Sequence, residues 1–117
     1  FQSPPNDHNK LVNVSKGSVI DVVLDIRKNS NTYGEFFSIK LNSINSQSVF
    51  IPKGCAHGFV SLEDDSLINY IQDSVYNNVS DSGIKFNSFG FNWKVKKPII
   101  SERDRNFINF NNFNSPF

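Results

Sequence analysis

Apolar and polar residues alternate along much of this chain, and this period of two constrains its fold more than any other feature. The clearest run lies between Val19 and Arg27. Aliphatic side chains occupy one face of this run: Ile20, Val22, Leu24 and Ile26. The opposite face carries Asp21, Val23, Asp25 and Arg27. Because successive side chains of an extended chain point to opposite sides, the pattern predicts a β-strand.

Further short segments have the same character and are separated by turn-forming residues. The other candidate strands are Leu11–Val14, Phe37–Leu41, Ser48–Ile51, Gly58–Leu62, Leu67–Asp73 and Gly83–Phe86. Glycine, asparagine and aspartate lie between them, for example at Lys16-Gly17 and Asn31 to Gly34. No helical pattern precedes Ser101, where Ser-Glu-Arg-Asp predicts a short turn of helix. Short, evenly spaced strands favour one all-β domain, either an antiparallel sandwich or a barrel.

The composition excludes several classes of protein. The 117 residues carry a net charge of +1, so no strong attraction to nucleic acid or to a membrane surface is expected. Cys55 is the single cysteine, which excludes an internal disulfide and a zinc site built from several cysteines. No apolar run is long enough to span a bilayer, and no signal-peptide pattern opens the chain. We therefore expect a cytoplasmic protein with no nucleic-acid partner and no membrane partner.

Few residues stand out as candidates for chemistry. His8 follows Asn6-Asp7 in a predicted loop, where a lone histidine is expected to be solvated. Cys55 lies between Gly54 and Ala56, and we expect a packed thiol because no base or helix N-terminus would activate it. His57 begins a predicted strand among small residues, which leaves two alternatives open: a site residue or a hydrogen-bonded core histidine. The two histidines are too far apart in sequence to suggest a metal site.

An ordered set of motifs carries a specific resemblance. The motifs are Phe1-Gln2-Ser3-Pro4-Pro5, Lys10-Leu11-Val12, Gly17 to Arg27, Tyr33-Gly34, Ile51 to Phe59, Tyr70, Tyr76, Gly90-Phe91-Asn92-Trp93 and Pro98 to Asp104. In this order they resemble the C-terminal two-thirds of the dTDP-4-dehydrorhamnose 3,5-epimerases. The resemblance implies a cupin jelly-roll barrel over residues 1–104 that lacks its N-terminal strands. An Asn/Phe-rich tail, residues 105–117, lies outside it and is expected to be irregular or shortly helical.

The resemblance also implies an activity. Enzymes of this family invert the carbons on either side of the ketone in a dTDP-4-keto-6-deoxyhexose, a step of dTDP-L-rhamnose biosynthesis. Each inversion removes a proton next to the carbonyl and returns one on the opposite face. It therefore needs a base, an acid across the ring and a group that stabilises the enolate oxygen. The resemblance implies no cofactor, no metal, dTDP-4-dehydro-6-deoxyglucose as the substrate, and a homodimer in the full-length form.

Seven residues match functional positions of the family. By resemblance Tyr70 is the proton donor, Lys10 stabilises the oxyanion and contacts the substrate, and Asp104 orients the catalytic histidine. Four others match substrate-binding positions: His57, Tyr76 (whose ring would stack on thymine), Asp81 (a shorter side chain than the usual Glu) and Arg103 (Lys in most of the family). Without the resemblance, Tyr70 would be interpreted as a half-buried strand tyrosine and Lys10 as a strand-edge surface residue.

The catalytic base is the main departure from the family pattern. In the family the base is a histidine that would fall one position before Phe1, and His8 does not replace it because it aligns beyond the Pro-Pro turn. For residues 1–117 alone we expect little or no epimerase activity. Two alternatives stay open: a non-catalytic cupin remnant that binds a nucleotide sugar, and an epimerase that inverts a single carbon or acts on another nucleotide-linked sugar. A metal-dependent cupin oxygenase is disfavoured because the His-x-His ligands are missing.

Overall fold

The computed structural model describes residues 1–117, and six β-strands form its framework. The strands are β1 (Lys10–Lys16), β2 (Ser18–Asp25), β3 (Phe36–Asn42), β4 (Ser48–Ile51), β5 (Cys55–Ser61) and β6 (Leu67–Gln72). They correspond to the six strands that the alternation predicts before residue 74, with ends shifted by up to three residues. The all-β prediction is confirmed.

The strands form two antiparallel sheets of three. One sheet has the order β4-β1-β6, and the other has the order β3-β2-β5. The tight turn between β1 and β2 needs Gly17, whose φ of 74° is unfavourable for other residues. A side chain at Gly17 would also overlap Ser66, so the turn packs closely against the residue that precedes β6.

The core lies between the two sheets. Six aliphatic side chains from four strands form it: Val12, Val14, Val19, Leu41, Val49 and Ile51. Burying each of them contributes about 1.5–3 kcal/mol. Cys55 packs against the edge of this cluster, and burial raises the pKa of its thiol. The thiol is therefore part of the packing, as the small residues around it suggest.

Both faces of β2 are buried. Val19 and Asp21 face the interior, whereas Val22 and Leu24 lie on the opposite face and are 2% exposed. Aromatic residues from the segment after β6 cover that opposite face. Phe36, the cross-strand partner of Leu24, packs against Phe89 and Phe91 at centroid distances of 6.0 and 5.3 Å. The segment after β6 therefore supplies a second hydrophobic layer.

The prediction of a strand at Gly83–Phe86 is wrong. This segment makes a single bridge, between Ile84 and Ile108. The chain here is divided between two partners: Ser82 N, just before the segment, donates to Phe1 O, whereas Lys85 N, within it, donates to Ile108 O. With no continuous neighbouring strand, a short apolar run cannot form a ladder.

The C-terminal residues pack back onto the body of the protein. The helix predicted at Ser101 is present as α1 (Glu102–Arg105), and Ser101 caps it by accepting a hydrogen bond from Asp104 N at 3.1 Å. The ring of Phe1 lies edge-on to those of Phe113 and Phe117, 5.6 and 6.0 Å away. No helix of the structure is long and apolar enough to cross a membrane.

Asp25, at the end of β2, organises the loop that follows. Its carboxylate accepts hydrogen bonds from Arg27 Nε and Nη2 at 2.9 and 2.7 Å and from Ser30 Oγ and Thr32 Oγ1 at 2.6 Å each. These bonds, that of Arg27 foremost, hold the pKa of Asp25 well below its usual range. The ionised form is therefore strongly preferred in the folded protein.

Replacing Asp25 by Asn is expected to lower the free energy of unfolding at pH 7 by about 2–3 kcal/mol, because hydrogen bonds to a charged group are lost. A depressed folded-state pKa stabilises the protein above the unfolded-state value and ceases to do so as pH falls below about 4. The difference in free energy of unfolding between wild type and Asp25→Asn should therefore become smaller as the pH falls below about 4. Urea unfolding at several pH values measures it, with Asp64→Asn in an exposed loop as control. A difference in free energy of unfolding that does not change with pH would contradict the conclusion that the ionised carboxylate of Asp25 stabilises the fold.

Candidate active site

A cavity of about 690 Å³ opens along β1, β2, β5 and β6 and is closed on another side by the segment after β6. All seven residues singled out from the sequence line it: Lys10, His57, Tyr70, Tyr76, Asp81, Arg103 and Asp104. Three strands, the loop after β6 and helix α1 thus deliver their polar side chains to one place. Their positions follow from the structure, whereas the individual roles stay predictions.

His57 and Asp21 form a buried pair at the wall of the cavity. His57 Nε2 lies 2.7 Å from Asp21 Oδ2, and the two side chains are 5% and 0% exposed. Asp21 pairs across the sheet with Phe59 and so faces the same side as His57, two residues earlier on β5. The second oxygen, Asp21 Oδ1, has no hydrogen-bond partner. Asp21 was not singled out from the sequence, although an aspartate amid apolar residues of a central strand is the signal that could have identified it.

Tyr70 faces His57 from the other sheet. Its ring lies edge-on to the imidazole, with centroids 5.8 Å apart and an interplanar angle of 71°. Burial, together with the negative charge of Asp21, raises the pKa of the Tyr70 phenol to about 12. The side chain is half-buried, with 42% exposure, so the phenol stays protonated at neutral pH while remaining open to the cavity. It can therefore donate a proton to a bound ligand.

Lys10 begins β1 and brings an ammonium group to the cavity. Burial lowers the pKa of Lys10, and the negative charge of Asp81 partly opposes this shift. A partly desolvated ammonium interacts more strongly with a developing negative charge than one in bulk water. Lys10 is suited to stabilising an oxyanion.

Arg103 is held at the rim by two carboxylates. Its Nη1 donates to Asp81 Oδ2 at 2.7 Å, and its Nε donates to Asp104 Oδ1 at 3.0 Å. Gln2, which is 5% exposed, fixes Asp81 in turn through a 3.0 Å hydrogen bond from its Nε2 to Oδ1. Helix α1 carries both Arg103 and Asp104, so its cap at Ser101 sets their orientation.

Tyr76 lies at the same rim and is 56% exposed. Its hydroxyl contacts Asn78 Oδ1 at 3.5 Å. A half-exposed ring that lines the cavity is a suitable surface for stacking a planar group. Gln2 is a second residue that sequence reasoning missed as part of the site, because its role is to hold Asp81 and Asn77 rather than to face a ligand.

His8 is buried, contrary to the expectation of a solvated loop histidine. It is 6% exposed, and its Nδ1 lies 3.1 Å from Asn6 O. Because a carbonyl oxygen only accepts, Nδ1 carries the proton of this hydrogen bond. Nε2 is buried without a partner. The Pro-Pro turn folds the loop against the cavity wall, and local sequence gives no signal of that long-range packing.

The site therefore combines a protonated phenol, a partly desolvated ammonium, an oriented imidazole and a guanidinium at the rim. Such a set can bind an anionic ligand and move protons on it. The fold and the site together define a cupin-type jelly roll with a cavity whose polar side chains are equipped for acid–base chemistry.

Comparison with known proteins identifies the family. The model of the dTDP-4-dehydrorhamnose 3,5-epimerase family matches residues 1–112. The chain belongs to this family, and the match extends eight residues beyond Asp104, where the sequence resemblance ended. The family match therefore includes part of the Asn/Phe-rich tail.

Individual relatives support the same assignment. The chain is 43% identical over 103 residues to the dTDP-4-dehydrorhamnose 3,5-epimerase of Methanothermobacter thermautotrophicus, covering 84% of this chain and 56% of the relative. It resembles the crystal structure of that enzyme from Elizabethkingia anophelis with a TM-score of 0.91 and 36% identity, covering 95% of this chain and 63% of the other. The Bacillus anthracis enzyme, crystallised with TDP and PPi bound, gives a TM-score of 0.91 and 34% identity, covering 93% and 63%. The cupin fold is confirmed, and the chain spans roughly 56–63% of these relatives.

Proposed function

We propose that this chain is the catalytic barrel of an epimerase that inverts the carbons flanking the ketone of a dTDP-4-keto-6-deoxyhexose, in dTDP-L-rhamnose biosynthesis. The observation that carries the proposal is the single cavity shared by Tyr70, Lys10 and Arg103, in a chain whose family is that of these epimerases. Tyr70 can supply the acid, Lys10 the positive charge for the enolate oxygen, and Arg103 the hydrogen-bond donors for phosphate.

Inversion proceeds by proton transfer on the two faces of the sugar. A base removes the proton next to the ketone, and the electron pair moves onto the oxygen to give an enolate. The family pattern places that base one position before Phe1, and Phe1 itself lines the cavity. Tyr70 then returns a proton to the opposite face. With a pKa of about 12, the Tyr70 phenol stays protonated at neutral pH until it transfers its proton to the enolate.

Lys10 stabilises the oxygen of the enolate, and His57 binds the sugar. The ammonium of Lys10 attracts the negative charge as it develops, which lowers the barrier more than it tightens ground-state binding. His57, held by Asp21 at 2.7 Å, presents its ring to the same cavity in a fixed orientation. A preorganised imidazole needs no reorganisation during the reaction.

Arg103 and Tyr76 bind the nucleotide part. A guanidinium has five N–H donors in a planar fork that matches phosphate oxygens. The half-exposed ring of Tyr76 stacks on the thymine, and Asp81 holds Arg103 in place. We further propose a homodimer in the cytoplasm, in line with the family resemblance; light scattering on the purified protein measures the oligomeric state.

Solvent deuterium exchange tests the function. We expect no deuterium in dTDP-4-dehydro-6-deoxyglucose after incubation with residues 1–117, and incorporation next to the ketone with the same chain preceded by the N-terminal segment of a relative. The matched control is the extended chain in which the added histidine before Phe1 is Asn. Exchange by residues 1–117 alone would place the base within the chain, and no exchange by either protein would overturn the proposal.

Product analysis separates the epimerase from the alternatives. NMR of the product sugar distinguishes inversion of both carbons, which we expect, from inversion of one. A chain that binds dTDP but exchanges no proton in extended form would be the non-catalytic nucleotide-sugar binder instead.

A further inference from the structure

The Asn/Phe-rich tail contributes a ring to the rim of the cavity. The guanidinium carbon of Arg103 lies over the ring of Phe107, 5.5 Å from its centroid. Phe107 itself packs against Gly83, where any side chain would overlap the ring. Phe107 lines the cavity together with Arg103. Nothing in the proposed chemistry uses this ring, although it touches the residue assigned to bind phosphate.

Arg103 needs such a support because its side chain is 62% exposed. A long exposed arginine samples many rotamers, and each restriction before binding reduces the entropy lost on binding. Asp81 and Asp104 hold two of the five N–H donors by their edges. The guanidinium carbon lies over the ring of Phe107 instead, so this contact restrains the guanidinium without consuming a donor. Three N–H groups remain for a ligand.

We propose that Phe107 is a positioning residue that holds the Arg103 guanidinium in place for binding the diphosphate of a nucleotide ligand. The inference rests on the proposed function, since it takes Arg103 as a phosphate ligand. Phe107 acts through Arg103 and touches no reacting atom. The contact with Gly83 also restrains the ring, so the loop after β6 and the tail together define where the positive charge lies.

Binding measurements on residues 1–117 test this inference with three probes: dTDP, inorganic pyrophosphate and thymidine. Phe107→Leu keeps an apolar side chain against Gly83 but removes the ring under Arg103. We expect the Kd for dTDP and for pyrophosphate to rise by about two- to fivefold, the range for loss of an exposed cation–π contact. The Kd for thymidine, which has no phosphate, should not change. NMR titration of backbone amides follows all three probes.

Two further variants complete the test. Phe107→Tyr retains a ring and should bind all three probes as the wild type does. Phe110→Leu, in the same tail, alters a ring that packs on Tyr33 at 5.7 Å and against Gly34, and it should leave every Kd unchanged.

The outcomes separate the positioning role from a structural one and from the proposed function. Wild-type affinity for pyrophosphate in Phe107→Leu, or an equal loss of thymidine affinity, would overturn the inference. Failure of the wild type to bind dTDP while it binds pyrophosphate would contradict the proposed function alone, because the pyrophosphate comparison still reports on Arg103. A wild type that binds neither dTDP nor pyrophosphate would overturn both.

Discussion

Replacing Tyr70 by Phe is expected to lower the formation of inverted product by roughly a hundredfold or more, the usual cost of losing a general acid. The measurement requires the chain joined to the N-terminal segment of a relative, so that the base is present. The substitution removes only the hydroxyl and keeps the ring that packs at 5.8 Å from His57. Abstraction by the opposing base does not depend on that hydroxyl. Deuterium should therefore still enter the substrate.

The pair of readouts distinguishes a general acid from a packing residue. Wild type should show exchange and inversion together, whereas Tyr70→Phe should show exchange with little inversion. Tyr33→Phe is the matched control, because its ring packs on Phe110 outside the cavity. The free energy of unfolding should fall by about 1 kcal/mol at most, the value of one hydrogen bond. Normal inversion by Tyr70→Phe would show that the acid lies elsewhere, with Tyr76 the next candidate.

The strands were predictable because their signal is local. Alternation reports which residues of a strand share a face, and six strands follow from it. It does not report what covers each face, which is why the burial of Val22 and Leu24 under aromatic residues required the structure. The prediction of a strand at Gly83–Phe86 was wrong for a related reason. A strand requires a continuous partner, and the hydrogen-bond partners in this region, Phe1 and Ile108, come from the two ends of the chain.

The site was predictable only where the family resemblance reached. From residue chemistry alone, Tyr70 was interpreted as a half-buried strand tyrosine and Lys10 as a surface residue. The two side chains reach the same cavity because of the register between β1 and β6. The pairing of His57 with Asp21 depends on a diagonal contact between β5 and β2, and the burial of His8 depends on how its loop folds. Long-range packing of this kind leaves no mark in the adjacent residues.

Asp21 is the residue whose importance the structure adds, and its replacement by Asn has the second large expected effect. An amide can donate to His57 Nε2, whereas a carboxylate can only accept from it. Asp21→Asn is therefore expected to reverse the protonation pattern of the ring while keeping the packing of a side chain that is 0% exposed. Because the reversed ring presents the wrong nitrogen state to the substrate, kcat in the extended chain should fall on the order of a hundredfold or more, as when an aspartate that fixes the tautomer of a catalytic histidine is replaced by asparagine.

A second readout of Asp21→Asn needs no activity and works on residues 1–117 alone. The charge of Asp21 adds to burial in raising the pKa of Tyr70 to about 12, so removing it should lower that pKa part of the way back toward 10, because burial remains. NMR titration of the tyrosine ring carbons, with Tyr70→Phe to assign the signal, measures the shift. Asp25→Asn is the matched control, since that buried aspartate on the same strand is paired with Arg27. An unchanged pKa of Tyr70 in Asp21→Asn would show that the charge of the Asp21 carboxylate does not raise the pKa of the phenol. A loss of activity without the pKa change would confine Asp21 to orienting His57, whereas both effects together would make it the charge that couples the imidazole to the acid.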